Sequence, residues 1–187
     1  MSWKRIKTEY AIKNKWISVR KDHVQLSSGV EIDDFYVIER TPIVHVIAIT
    51  DDGYFVCEKQ YRYGVDRDCL EICAGNVDPN ETPLETAKRE LLEETGFSGG
   101  EWLVLSELAV DTSNMTEISY SILATGVIKT SEPHLEKTEE IETVLLTEEE
   151  ILSSLKRGDF ISALMAAPLW QYFYLKRMNL LKYKYEK

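Results

Sequence analysis

Gly75-Asn76-Val77-Asp78-Pro79-Asn80-Glu81-Thr82-Pro83-Leu84-Glu85-Thr86-Ala87-Lys88-Arg89-Glu90-Leu91-Leu92-Glu93-Glu94-Thr95-Gly96-Phe97 is the stretch on which the fold turns. Its middle reads as a helix with both ends marked. Thr82 can cap the start, Pro83 suits the first helical position, and Glu85 completes a capping box. Leu84, Ala87, Leu91 and Thr95 form a core-facing stripe, and Gly96 supplies a left-handed cap. At about 3.6 residues per turn, Glu90, Glu93 and Glu94 are expected to project from one face. Like charges so placed repel by roughly 0.2–0.5 kcal/mol per exposed pair, and more when partly buried. A hard divalent cation removes that repulsion. The turn therefore reads as a platform for Mg2+, with Mn2+ as a possible substitute.

The spacing is Gly75, five residues, Glu81, seven residues, then Arg89-Glu90-Leu91-x-Glu93-Glu94-x-Gly96-Phe97. It resembles the Nudix box at every defined position. The similarity reaches further: Gln60-Tyr61-Arg62 and Leu70-Glu71-Ile72-Cys73-Ala74-Gly75 resemble the strand and loop that precede the box in ADP-ribose and nucleoside-diphosphate-sugar pyrophosphatases. The resemblance implies an α+β protein: an α/β/α sandwich Nudix fold with a small N-terminal antiparallel β subdomain. Residues 1–41 are expected to form that subdomain and 42–187 the hydrolase domain.

The flanking sequence agrees with such a fold. Trp16–Arg20 and Asp22–Leu26 read as short strands around the turn signal Ser27-Ser28-Gly29, with a further strand over Asp34–Arg40. Ile43–Thr50 is an apolar, β-branched run ending at Asp51-Asp52-Gly53, and Tyr54–Gln60 completes a hairpin. Trp102–Val110, Ile118–Val127 and Glu142–Leu146 read as strands. Thr147 caps a helix ending near Gly158. A helical stretch is expected from Asp159, with a break or kink at Pro168, followed by an amphipathic, aromatic-rich helix over Trp170–Leu181.

The 187 residues carry 22 basic and 32 acidic side chains, a net charge of −10. Nucleic-acid binders that track phosphates are normally basic, so polymeric DNA or RNA is a poor partner. Small anions remain admissible, since a bound metal and nearby arginines set the local field. Cys57, Cys69 and Cys73 are odd in number and lack metal-ligand spacing, which points to free buried thiols and a reducing compartment. No apolar run is long enough to span a membrane, and a cytoplasmic location is expected. His45, inside an apolar strand, reads as a hydrogen-bonded core residue.

The resemblance also implies a site. Glu90, Glu94 and Glu93 would ligate the metal with the backbone carbonyl of Ala74, while Arg89, paired with Glu81, braces the carboxylates. Arg89 and Glu93 thus count with the catalytic set. A general base is expected among Glu136, Glu139 and Glu140, with Glu139 best placed ahead of Ile141–Leu146. Lys137 stands where relatives commonly carry a glutamate. Arg62 aligns with a diphosphate-contacting arginine, and Glu71 lies on the strand entering the metal loop. In relatives that dimerise by exchanging N-terminal strands, aromatics sandwich the adenine; Trp16 and Phe35 match those positions, and Arg40 matches a phosphate contact.

The expected activity is hydrolysis of the diphosphate in nucleoside-diphosphate sugars such as ADP-ribose, by a homodimer. Two departures bear on specificity. Relatives usually have proline where Cys73 stands, and the ADP-ribose-selective ones tend to carry a proline where this chain reads Val110-Asp111-Thr112-Ser113-Asn114. A wider range of sugar nucleotides is therefore expected. The rivals are hydrolysis of dinucleoside polyphosphates, coenzyme A or nucleoside triphosphates, and a non-catalytic sugar-nucleotide sensor.

Overall fold

A computed structural model describes residues 2–15 and 17–181, so Trp16 lies outside the described residues. Two compact units are present: Met1–Pro42 with Leu108–Ile118, and Ile43–Glu107 with Ser119–Lys187.

The first unit is an antiparallel sheet of β1 (Lys4–Lys13), β2 (Ser18–Gln25) and β3 (Glu31–Glu39), in that order. Where two short strands were expected before the Ser27-Ser28-Gly29 turn, β2 runs unbroken through Lys21 and pairs with β1 on one side and β3 on the other. The turn closes through Leu26 N–H donating to the Val30 carbonyl at 2.8 Å, with Gly29 at φ 91°. Polar pairs hold the sheet: the Asp22 carboxylate accepts from Thr8 at 2.7 Å and from Arg20 at 2.8 Å, and Arg20 also donates to Glu39 at 2.6 Å. Residues 114–116 bond along β3, with Ile38 N–H donating to the Asn114 carbonyl and Thr116 N–H to the Ile38 carbonyl. Unit membership of residues 108–118 thus follows from strand-like pairing at long range, which no local pattern announces.

The second unit is built on a mixed sheet. Its strands are β4 (Ile43–Thr50), β5 (Phe55–Arg62), β6 (Arg67–Glu71), β7 (Cys73–Asn76), β8 (Phe97–Ser98), β9 (Glu101–Ala109), β10 (Ile118–Lys129) and β11 (Ile141–Leu146). The central order is β11-β5-β4-β10-β8, with β6 on β5, β7 on β4 and β9 on β10. β4 and β10 pair in parallel. A parallel pair buried on both faces needs an almost continuous apolar run, and Val44 through Ile49 provides it.

Alternation along the strands sends side chains to opposite faces. Val44, Val46, Ala48 and Val56 pack with Ala87 and Leu91 of the box helix, α1 (Pro83–Glu90, continued by a wider turn over Leu91–Thr95). Ile47, Ile49, Phe55 and Cys57 pack on the other face with Ile151 and Leu155 of α2 (Glu148–Arg157) and with Met165, Leu169 and Tyr172 of α3 (Ala163–Arg177). Each fully buried large apolar side chain contributes about 1.5–3 kcal/mol. The result is a helix/sheet/helix sandwich, as expected.

Both expected caps are present. Thr82 and Thr147 each form a capping box with Glu85 and Glu150, and Gly96 and Gly158 are left-handed at φ 75° and 78°. The expectation at Pro168 is corrected: α3 begins at Ala163 rather than Asp159 and continues through the proline. Pro168 sits on the buried stripe of Met165, Leu169 and Tyr172, and that packing offsets the lost backbone bond. No helix among the described residues is long and apolar enough to cross a membrane.

Candidate active site

Gly75 is the last residue but one of β7, beside the box helix. A methyl group on its Cα would lie 2.1 Å from Glu90 Oε1, so only glycine lets this carboxylate close onto the loop. The last turn of the helix departs from the expected geometry: Leu91–Thr95 is a π turn, closed by Gly96 N–H on the Leu92 carbonyl at 2.9 Å. Glu93 stays half exposed, Glu90 is largely covered, and Glu94 turns inward to 8% exposure. Such turns concentrate at functional sites.

Arg89 holds this group together. Its Nε donates to Glu81 Oε1 at 3.0 Å, and its Nη1 reaches Glu93 Oε2 at 2.9 Å and Glu90 Oε1 at 3.0 Å. Thr86 donates to the same Glu81 carboxylate at 2.7 Å. Those hydrogen bonds hold Glu81 below the usual carboxylate range and push the guanidinium further toward its charged form.

Burial dominates the inner carboxylates. It raises Glu94 to about 7 and lifts Glu90 above the ordinary carboxylate value. Glu58 was not singled out by the sequence reading. It is 3% exposed on β5 and held well above the usual range by burial, then by the charge of Glu94. Strand alternation places Glu58 on the same face as Val56, under the box helix, and register sets it opposite Glu71. The only local signal was a glutamate following Phe55-Val56-Cys57 inside a strand. Burial and the neighbouring Glu94 and Glu58 push the Cys73 thiol far up. All three cysteines are free and buried.

Arg62 grips Glu71 with both Nε, at 2.8 Å, and Nη2. Ala74 pairs with His45 across β7 and β4, and His45 Nδ1 meets Ser119 Oγ at 3.0 Å, a hydrogen-bonded core histidine as expected. The segment after β10 is tied to the helix end: Ser131 N–H donates to the Gly96 carbonyl at 3.2 Å and His134 N–H to the Glu93 carbonyl at 2.7 Å. It carries Glu139 close enough for its charge to act on both Glu90 and Glu94. The Glu139 side chain is held by the Glu136 N–H at 2.8 Å. Glu140 instead lines an exposed groove of about 470 Å³ with Lys59, Tyr61 and Asp68.

In the N-terminal unit, Phe35 meets Trp3 edge-on at 5.5 Å, and Arg40 pairs with the buried Glu117 at 3.3 Å. The expectation for Trp16 falls outside the described residues.

The residues present fit a divalent cation. The donors are hard oxygens, Glu94 Oε2 is buried without a hydrogen-bond partner, and the glycine cradle admits the Glu90 carboxylate. A sandwich with an arginine-braced, acid-rich helix turn against a tight glycine loop defines a Nudix-type hydrolase. Comparison agrees: residues 39–166 match the NUDIX domain and residues 3–38 the nucleoside diphosphate sugar hydrolase N-terminal domain, and the chain belongs to the Nudix hydrolase family.

It is 32% identical over 156 residues to a methanol dehydrogenase activator of Bacillus methanolicus, covering 82% of this chain and 83% of that one. It is 29% identical over 174 residues to an ADP-ribose pyrophosphatase of Bacillus subtilis (strain 168), covering 92% and 93%. A crystal structure of an ADP compounds hydrolase superposes with a TM-score of 0.82 over 97% of this chain and 98% of its own, at 22% identity.

Proposed function

We propose that this chain hydrolyses the diphosphate bond of nucleoside-diphosphate sugars such as ADP-ribose, using Mg2+ or in its place Mn2+, to give a nucleoside monophosphate and a sugar phosphate. The observation that carries this reading is the acidic turn itself: Glu90 and Glu93 are gripped by Arg89, Glu90 lies against the Gly75 loop, and Glu94 is buried beside them. The match of residues 3–38 to the sugar-hydrolase N-terminal domain favours sugar nucleotides over triphosphates or coenzyme A.

Glu90, Glu94, Glu93 and the Ala74 carbonyl would hold the cation, which when bound neutralises phosphate oxygens and acidifies a coordinated water. Arg89 and Glu81 keep these carboxylates oriented, a service that matters as much as the ligands themselves. Glu139 accepts the proton of the attacking water. Arg62, kept charged and aligned by Glu71, pairs with the diphosphate. Trp16 and Phe35 stack on the base and Arg40 pairs with phosphate. Pairing of two chains as a homodimer belongs to the same proposal.

The test is a panel of ADP-ribose, other nucleoside-diphosphate sugars, nucleoside triphosphates and coenzyme A with Mg2+, its products weighed after reaction in labelled water. Turnover of sugar nucleotides that Glu94→Gln abolishes is expected. Preferential turnover of triphosphates, or an unimpaired Glu94→Gln variant, would overturn the reading.

A further inference from the structure

Glu58, Cys73 and Glu94 meet under the box helix, each offering a ligand atom within 4.8 Å of the other two. They come from β5, β7 and the π turn, so the convergence is a product of the fold and not of one acidic segment. Their exposures are 3%, 0% and 8%. As ionised carboxylates, Glu58 and Glu94 leave two buried oxygens here, Glu58 Oε1 and Glu94 Oε2, without a hydrogen-bond partner, and they face each other and the Cys73 thiol. An unpaired buried carboxylate oxygen is costly, and groups left so in a native fold call for a partner. The neighbouring guanidiniums do not supply it. Among the described residues Arg62 bonds to Glu71, and Arg89 to Glu81, Glu90 and Glu93.

The donor chemistry is distinct from that of the outer carboxylates. Glu90, Glu93 and a backbone carbonyl offer oxygen alone, the preference of magnesium. Adding a thiolate shifts preference toward borderline metals such as zinc, for which three protein ligands and one open position form a common set.

We propose that Glu58, Cys73 and Glu94 form an inner divalent-cation site that takes a zinc-like metal through mixed carboxylate and thiolate donors. Binding replaces metal–water bonds with metal–sulfur and metal–oxygen bonds; the thiol proton, and any proton still held by the Glu58 and Glu94 carboxyls, leaves to the buffer, since coordinating thiols and carboxylates are deprotonated. No electrons are exchanged. The inference rests on the hydrolase reading only through the shared Glu94.

The test titrates metal-free full-length protein with Co2+ and Cd2+ in a non-thiol reductant, following the thiolate-to-metal charge-transfer absorbance. The expected band saturates at about one metal per chain. Excess Mg2+ leaves it in place, and Cys73→Ser removes it. Glu58→Gln weakens the affinity about tenfold or more. Glu90→Gln, Cys57→Ser and Cys69→Ser keep the band, which separates this site from the outer carboxylates and the other thiols. Absence of the band in the wild type, or its survival in Cys73→Ser, overturns the proposal. Magnesium-dependent turnover without the band sinks this inference alone, whereas the band without turnover sinks the hydrolase reading alone.

Discussion

Burial holds the Glu94 carboxyl at about 7 against an ordinary 4.5, and the sign of that shift fixes how the metal-free protein responds to pH. Below about pH 4.5 the folded and unfolded chains both carry the proton. Between there and about 7 the folded protein keeps a proton that the unfolded chain releases, so stability falls as pH rises through that interval. Glu58, raised by burial beside it, acts in the same direction. In chelator, the thermal midpoint should therefore drop between about pH 5 and about pH 8, and Glu94→Gln should flatten that drop. A wild-type midpoint that rises over the same range would contradict the assignment. Arg89 makes a second residue-level case. Arg89→Ala should lower metal affinity or activity by about 10–100-fold through loosened carboxylates, measured by Mn2+ titration. A change of less than twofold would show that Arg89 does not position them.

At the scale of elements, the loop between β7 and α1 depends on a missing side chain. Gly75→Ala places a methyl group where the Glu90 carboxyl now sits, and overpacking of this kind costs about 1–3 kcal/mol. Denaturant unfolding with and without Mn2+ should show both a stability loss and weaker metal stabilisation; a variant matching the wild type in both would count against the cradle. The box helix was legible because its information is local: Thr82, Pro83, Glu85 and Gly96 mark its ends within a few residues of sequence. Its π turn was not, since nothing in Leu91–Thr95 distinguishes five residues of α-helix from one wider turn. Pro168 misled for the complementary reason. Its helix-breaking tendency is local, and the packing of Met165, Leu169 and Tyr172 that overrides it is not.

For the whole molecule, the sandwich was legible through the resemblance of Gly75–Phe97 to the Nudix box, with which the flanking strand and helix patterns agreed. What escaped was whatever distant segments bring together without a family motif to announce it: Glu58 beneath Glu94, the bonds of Ser131 and His134 to the helix end, and residues 114–116 along β3. The N-terminal sheet supports a further expectation. Every residue of β1 is exposed, including Ile6, Tyr10 and Ile12, and the proposed homodimer would cover part of that surface. Sedimentation should show a dimer that charged substitutions at Ile6 and Ile12 dissociate; a wild-type monomer across accessible concentrations would contradict the pairing. The central claim concerns the acidic turn itself. Anomalous diffraction from crystals soaked in Mn2+ addresses it most directly: the account predicts a metal peak bounded by Glu90, Glu94 and the Ala74 carbonyl, whereas manganese absent from that turn at saturating concentration would contradict it.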